Sequence, residues 1–372
     1  MVSMEELLNL MVQRGGSDLH ISVGSPPRIR VDGKLIDTEY EALMPEATKK
    51  LIYSVLGADQ VAKFEKELEL DFSFGVAGLG RFRTNAFIQR STVAAVLRVI
   101  PFEVFDFETI GLPTEVCESI CKLPRGLVLC TGSTGSGKST TLASMVNYIN
   151  EQRQGHIVTI EDPIEFLHRN KGCLINQREV GGDTHAFSKA LKSVLRQDPD
   201  VVLVGEMRDL ETIEAALTLA ETGHLTFATL HTSDVTQTIN RIVDVFPAHQ
   251  QQQIRTMMSF TLQAIVCQQL VPKQHGKGRA LAAEVMIATP AIRALIRDNK
   301  SHQIMSIIQT SAQAGMQTMN QSLFDLYRNG TVSYEDAVAH TSDASDFHRL
   351  MERAGIGGGV GAGMGGSVRR GR

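Results

Sequence analysis

The stretch Gly132, Ser133, Thr134, Gly135, Ser136, Gly137, Lys138, Ser139 constrains this chain more than any other. An apolar run, Gly126, Leu127, Val128, Leu129 and Cys130, leads into it, and residues 140–149 beyond it are compatible with a helix. Strand, glycine-rich turn and helix is the setting of a phosphate-binding loop. The glycines let the backbone curl until several N–H groups face one anion. The helix start adds its unpaired donors and the positive end of its dipole. Lys138 reaches the β- and γ-phosphates of a nucleotide, and the Ser139 hydroxyl is offered to Mg²⁺. Ser133, Thr134, Gly135, Ser136, Gly137 and Thr140 complete the cradle. A glycine turn that merely caps a buried helix is the competing reading, and the flanking strand and helix count against it.

A length of 372 residues favours two domains. Hydrophobic residues at 42% are enough for two buried cores, and charged residues at 21% are ordinary for a soluble chain. The net charge of −4 and the lack of a basic stripe argue against a nucleic-acid partner. The cysteines, at 117, 121, 130, 173 and 267, are scattered without the second pair that a zinc site needs. They read as small buried residues in a reducing compartment. No stretch approaches the roughly eighteen apolar residues of a membrane span, and the first residues lack a signal-peptide pattern. A cytoplasmic protein is expected.

Periodicity divides the chain. Residues 4–14 read as an amphipathic helix carrying Leu7, Leu8 and Met11, ended by Gly15 and Gly16. A strand at 18–23 precedes a hairpin, 28–31 and 34–36, turned by Asp32-Gly33. Helices at 45–56 and 59–69 are followed by strands at 71–76, 80–89 and 92–100. An α+β domain over 1–100 is expected, then a linker over 101–118 whose turn-rich part is 101–113, and a second domain over 119–354. Within the strand at 80–89 the period of two puts Arg81, Arg83 and Asn85 on one face and Phe82, Thr84 and Ala86 on the other. Arg98 interrupts another apolar strand. These arginines fit a solvated sheet face, or they meet nucleotide phosphates, for which the planar guanidinium is suited. Far in sequence from the glycine-rich loop, they would act across a domain or subunit boundary.

From 125 onward strand and helix alternate, the mark of a parallel sheet with covered faces. A strand at 156–160 ends in Glu161, Asp162, Pro163, Ile164 and Glu165, and one at 201–205 ends in Glu206. Carboxylates at the carboxyl ends of such strands stand where ligands bind. Glu206 resembles a Walker B glutamate, with Gly205 where an Asp commonly stands. Ser139 and Glu206 are the expected Mg²⁺ ligands, and either Glu161 or Glu206 could polarise the attacking water. His224 and His231 bracket an apolar strand; seven apart, they face opposite ways and make no metal pair. Either is a phosphate sensor, an interface donor or a satisfied structural histidine. Helices are expected at 183–196, 210–222, 234–245, 249–270, 290–297, 317–328, 333–340 and 344–353. The glycine-rich end, 355–372, reads as disordered.

Four ordered motifs carry a resemblance. They are Gly132 to Ser139; Ile160, Glu161, Asp162, Pro163, Ile164, Glu165; Asp200 to Glu206; and Glu221, Thr222, Gly223, His224, Leu225 through Thr229, Leu230, His231. In this order they are similar to the Walker A, Asp box, Walker B and His box of the secretion-ATPase superfamily. Arg14 to His20, Asn176 to Val180, Gly205 to Glu211 and Ala291 to Arg297 resemble its PilT-like branch, the retraction ATPases of type IV pili. The resemblance runs from about 4 to about 340 and leaves out the glycine-rich tail. It implies an α/β fold, a RecA-like P-loop ATPase domain preceded by a smaller PAS-like α+β domain, and a homohexamer that hydrolyses ATP with Mg²⁺. It makes Glu161 the catalytic carboxylate, with Lys138 and Glu206 beside it, and Arg81, Arg83 and Arg98 phosphate partners. His224 and His231 are carried over as nucleotide-state or interface residues. Expected partners are a platform protein at the inner-membrane base of the pilus machine and paralogous pilus ATPases. An accessory ATPase supporting another motor, or less readily a nucleic-acid translocase, are the rivals. Without clustered cysteines or an extra leading domain, retraction is favoured over pilus extension.

Overall fold

The computed structural model describes residues 2–356. The tail expected to be disordered lies outside the described residues from 357 onward. Contacts divide the chain into two units, one of 1–104 with 161–169 and 177–186, the other comprising the remainder. No described helix is long and apolar enough to cross a membrane.

The first unit opens with α1 (Met4–Gln13), started by a capping box in which Ser3 and Glu6 satisfy each other's backbone N–H. Strands β1 (Asp18–Ile21), β2 (Arg28–Val31) and β3 (Lys34–Asp37) follow, then α2 (Pro45–Tyr53), α3 (Ala58–Glu67), β4 (Glu69–Val76), β5 (Gly80–Gln89) and β6 (Thr92–Ile100). The strands form one sheet in the order β3-β2-β1-β6-β5-β4. Asp32 and Gly33, with φ of 47° and 78°, make the two-residue hairpin turn that their sequence announces. One face of the sheet is apolar: Leu19, Phe82 and Leu97 pack with Leu7, Leu8, Ile52 and Phe64 from the helices. The other is polar, and in register it carries Arg30, Asp18, Arg98 and Arg83 side by side on β2, β1, β6 and β5.

The second unit begins with α4 (Phe107–Ile110) and α5 (Thr114–Cys121). Both lie within or overlap the stretch expected as a linker, and Phe107, Leu112 and Cys117 are buried in this unit's core; residues 101–106 have no regular structure. Then come β7 (Gly126–Thr131), α6 (Lys138–Gln152), β8 (His156–Glu161), β9 (Leu174–Glu179), α7 (Phe187–Val194), β10 (Val201–Val204), α8 (Leu210–Glu221), β11 (Leu225–Leu230), α9 (Val235–Asp244), α10 (Ala248–Thr261), β12 (Leu262–Pro272) and β13 (Arg279–Ile287). Five smaller helices, α11 (Pro290–Arg297), α12 (Ile304–Thr310), α13 (Met319–Arg328), α14 (Tyr334–His340) and α15 (Ala344–Arg353), close the described chain. The sheet order is β13-β12-β7-β11-β10-β8-β9. Strands β12, β7, β11, β10 and β8 pair in parallel, and β13 runs antiparallel to β12. Every residue of β7, β10 and β11 is buried, as a sheet covered on both faces requires. The expected fold class, a RecA-like α/β domain preceded by a smaller α+β domain, is the one observed.

One long helix is a correction. The helix expected over 249–270 stops at Thr261, and the residues after it form β12, hydrogen-bonded along β7. A central strand buried on both faces has no alternation to betray it, so an apolar run after a helix reads as more helix. The helix expected from 183 starts only at Phe187. Strands β9 and β13 and helices α4, α5 and α12 were not expected as regular elements.

Candidate active site

The phosphate loop is built at the carboxyl end of β7, from the residues expected. Gly132 has φ of 142°, and a Cβ there would stand 2.3 Å from the Gln268 carbonyl oxygen, so no other residue fits. Gly137, with φ of 93°, is the N-cap of α6, whose first residue is Lys138. The Lys138 ammonium donates to the carbonyls of Gly132 (2.8 Å) and Ser133 (2.9 Å), folding over the hollow of its own loop. Burial pulls its pKa down, and the neighbouring Cys130 and Glu206 offset this only in part. The Ser136 hydroxyl is buried and lacks a partner. An orphaned hydroxyl and a lysine resting on carbonyls are what a cradle built for anionic oxygens leaves behind.

Two supports of the loop were not singled out in the sequence. The Gln268 amide on β12 donates to the Ser136 carbonyl (2.9 Å) while its oxygen accepts from the buried Cys130 thiol (3.1 Å). Arg279, at the start of β13, donates to the Gly135 carbonyl at 3.4 Å. The signal for Gln268 was there: a Gln268-Gln269 pair amid apolar neighbours, an amide that a buried strand would have to satisfy. Beside the start of α6 lies a cavity of about 270 Å³ lined by Phe105, Ile110, Thr140, Leu270, Arg279 and Leu281, among others. Its apolar walls suit a flat ring system.

Glu206 follows β10, and its environment is cationic. One carboxylate oxygen lies 2.7 Å from the Arg208 guanidinium and the other 3.1 Å from His231 Nε2. Burial raises the carboxyl's pKa, but the Arg208 hydrogen bond and charge, with His231 and Lys138, outweigh it and hold it below the usual carboxylate value. Lys138, Glu206 and His231 are thus drawn into one electrostatic cluster. His224 is not part of it. The parallel register sets Leu225 beside Gly126 and Leu230 beside Thr131. His224 therefore stands at the far end of β11, about 20 Å along the strand from the loop. Its Nδ1 faces the Leu219 carbonyl (3.0 Å) and Thr222 Oγ1 (3.1 Å), which closes α8. Within one chain His224 therefore lies apart from the P-loop cluster.

In the first unit, Glu161 is the last residue of β8 and is buried. The Gln177 amide nitrogen lies 3.3 Å from its Oε1. Arg81 stands 3.6 Å from the buried Glu179. The Arg98 Nε bonds Asp18 at 2.7 Å, and Arg30 reaches the same carboxylate at 3.8 Å. Arg83 is exposed beside Arg98 in the register. The arginines therefore keep to the polar sheet face, two of them with acidic partners that no sequence pattern disclosed. For Mg²⁺ the fit rests on donor chemistry: the Ser139 hydroxyl and a Glu206 carboxylate kept ionised are the hard oxygens this cation takes.

Three comparisons bear on this geometry. Residues 3–339 match the family model described as Type II/IV secretion system protein. The type IV pilus retraction ATPase PilT of Pseudomonas aeruginosa is 52% identical over 332 residues, 89% of this chain and 96% of that protein. The type IV pilus ATPase PilU of the same organism is 44% identical over 351 residues, 94% and 91% of the two chains. A crystal structure of the pilus retraction motor PilT with bound ADP superposes with a TM-score of 0.87 at 49% identity, covering 94% of this chain and all of that one. With the four motifs in order and the P-loop at the carboxyl end of β7, the chain belongs to the Type II/IV secretion system protein family, in its PilT-like branch of ATPases.

Proposed function

We propose that the chain is an ATP-hydrolysing motor that works as a homohexamer and drives type IV pilus retraction. The observation that carries the reading is the cluster at the carboxyl end of the sheet: a P-loop closed by Lys138, facing a Glu206 held ionised by Arg208 and His231. Lys138 leaves its carbonyls for the β- and γ-phosphate oxygens, while the loop N–H groups and the α6 start bind the same oxygens. Ser139 and Glu206 would hold Mg²⁺, whose charge would offset that of the phosphate oxygens. Glu161 orients the attacking water and receives its proton. The cavity beside α6 takes the base, Arg81 and Arg98 exchange their acidic neighbours for phosphate in the assembled ring, and Arg83 joins them there. His231, in contact with Glu206, senses the nucleotide state. Catalysis of this kind is positioning and electrostatics. The partners are an inner-membrane platform protein at the base of the pilus and paralogous pilus ATPases, with the ring peripheral to the membrane on its cytoplasmic side.

The test is steady-state hydrolysis alongside native mass. A hexamer that hydrolyses ATP, with turnover reduced at least about 10³-fold in Lys138→Ala and in Glu161→Gln, is the expected outcome. Nucleotide binding is lost in the lysine variant and kept in the glutamine variant. A monomer that binds ATP without turnover would sink the motor.

A further inference from the structure

Residues 161–169 follow the strand that ends in Glu161, and they are stitched to residues 177–180 by a specific set of hydrogen bonds. Val180 N–H donates to the Glu161 carbonyl at 2.9 Å. Ile164 N–H donates to the Glu179 carboxylate at 3.2 Å. Between these two, one side chain makes three contacts. The Gln177 oxygen accepts the His168 N–H at 2.8 Å, and its nitrogen donates to the Phe166 carbonyl at 2.8 Å and to Glu161 Oε1 at 3.3 Å. The amide cannot be turned round. An N–H must meet its oxygen and a carbonyl must meet its nitrogen, so the end that faces Glu161 is a donor.

We propose that Gln177 is the positioning residue of Glu161: its anchored amide fixes the carboxylate in the orientation from which it acts on water. A glutamine suits the task better than an arginine would. A neutral donor restrains the carboxylate, whereas a full positive charge would strongly depress its basicity. The backbone anchors at Phe166 and His168 leave the amide little rotamer freedom, so its aim is set before nucleotide arrives. Misplacement of a reacting group by about 1 Å costs on the order of 100-fold, which is the lever such an amide commands. This inference rests on Glu161 being the residue that orients water.

The test compares Gln177→Ala and Gln177→Glu in the full chain, reading kcat, KM and the equilibrium affinity for a fluorescent ATP analogue. Gln177→Glu keeps the acceptor for His168 N–H but loses both donations and sets a carboxylate against Glu161. We expect kcat to fall about 10- to 100-fold in Gln177→Ala and further in Gln177→Glu, with analogue affinity and thermal midpoint near those of the parent chain. Unchanged kcat in both variants overturns the proposal. So does a kcat loss matched by an equal loss of nucleotide affinity and of thermal midpoint, because Gln177 would then only hold the loop together. Glu161→Gln, run alongside, separates the two claims. If it still turns over, the assignment of Glu161 has failed; if it is dead while the Gln177 variants are normal, the positioning role alone has failed.

Discussion

Glu206 and Glu284 belong to the same unit and are both largely enclosed, yet their surroundings drive the two carboxyls in opposite directions. Around Glu206, Arg208, His231 and Lys138 outweigh burial and keep the group ionised below its ordinary value. Glu284 sits opposite Cys267 in the β12–β13 register, where burial dominates and raises it to about 7. The Val235 N–H, bonded to its Oε1 at 2.9 Å, and a Met319 backbone hydrogen bond offset this only in part, and Asp234 adds to it. A charge is maintained at the mouth of the site, where it can meet a cation. The interior acid instead ties the first residue of α9 to β13. Glu161 is a third arrangement, in which the neutral Gln177 amide faces the carboxylate.

If that division of labour holds, exchanging each carboxylate for its amide should separate chemistry from stability. Glu206→Gln is the larger perturbation. It should lower hydrolysis about 100-fold or more while the thermal midpoint barely moves, because a ligand oxygen is exchanged for a poorer one. Glu284→Gln should leave kcat within about three-fold, since that side chain is buried and bonds the Val235 backbone N–H. Steady-state assays with melting curves check both, and comparable losses of turnover in the two variants would erase the distinction.

Glu284 makes a second, pH-dependent claim. In the unfolded chain this carboxyl titrates near 4.5, and in the folded chain at about 7. Between those values the folded state holds the extra proton, so stability falls as pH rises through the window and stays lower above it. The full span corresponds to about 3 kcal/mol. Glu284→Gln keeps the acceptor for Val235 N–H and cannot ionise. It should match the parent chain at pH 4.5 and exceed it at pH 8, as followed by thermal or urea unfolding. An equal difference at both pH values would show that burial does not govern this group.

What the sequence disclosed follows from the reach of each interaction. The P-loop, the Asp32-Gly33 hairpin and the face alternation of β5 depend on neighbours a few residues away, and all three were legible. Strand β12 was not, because a strand buried on both faces lacks the period of two and its length mimics a continued helix. Gln268 and Arg279 support the loop from 132 and 144 residues beyond their bonding partners. Gln177 could be read only as part of a motif, since its purpose appears when residues 161–169 fold onto it.

The smallest effect belongs to Arg208, and it tests whether the Glu206 cluster behaves as an exposed arrangement. The Arg208 side chain retains 61% of its accessible surface, against 19% for Glu206. An ion pair with one partner this exposed is screened by water and salt, and its net contribution is about 0.5 kcal/mol. Arg208→Ala should therefore lower stability at pH 7 by about that amount, and 0.5 M salt should shrink the difference. The sign with pH is opposite to that of Glu284. A carboxyl held low contributes above its unfolded value near 4.5, and the contribution disappears as pH falls through its folded value. The two chains should accordingly converge in acid rather than in base. A loss of about 2 kcal/mol or more at pH 7, insensitive to salt, would mean that Arg208 is built into the fold as firmly as Glu284, and the contrast between mouth and interior would collapse.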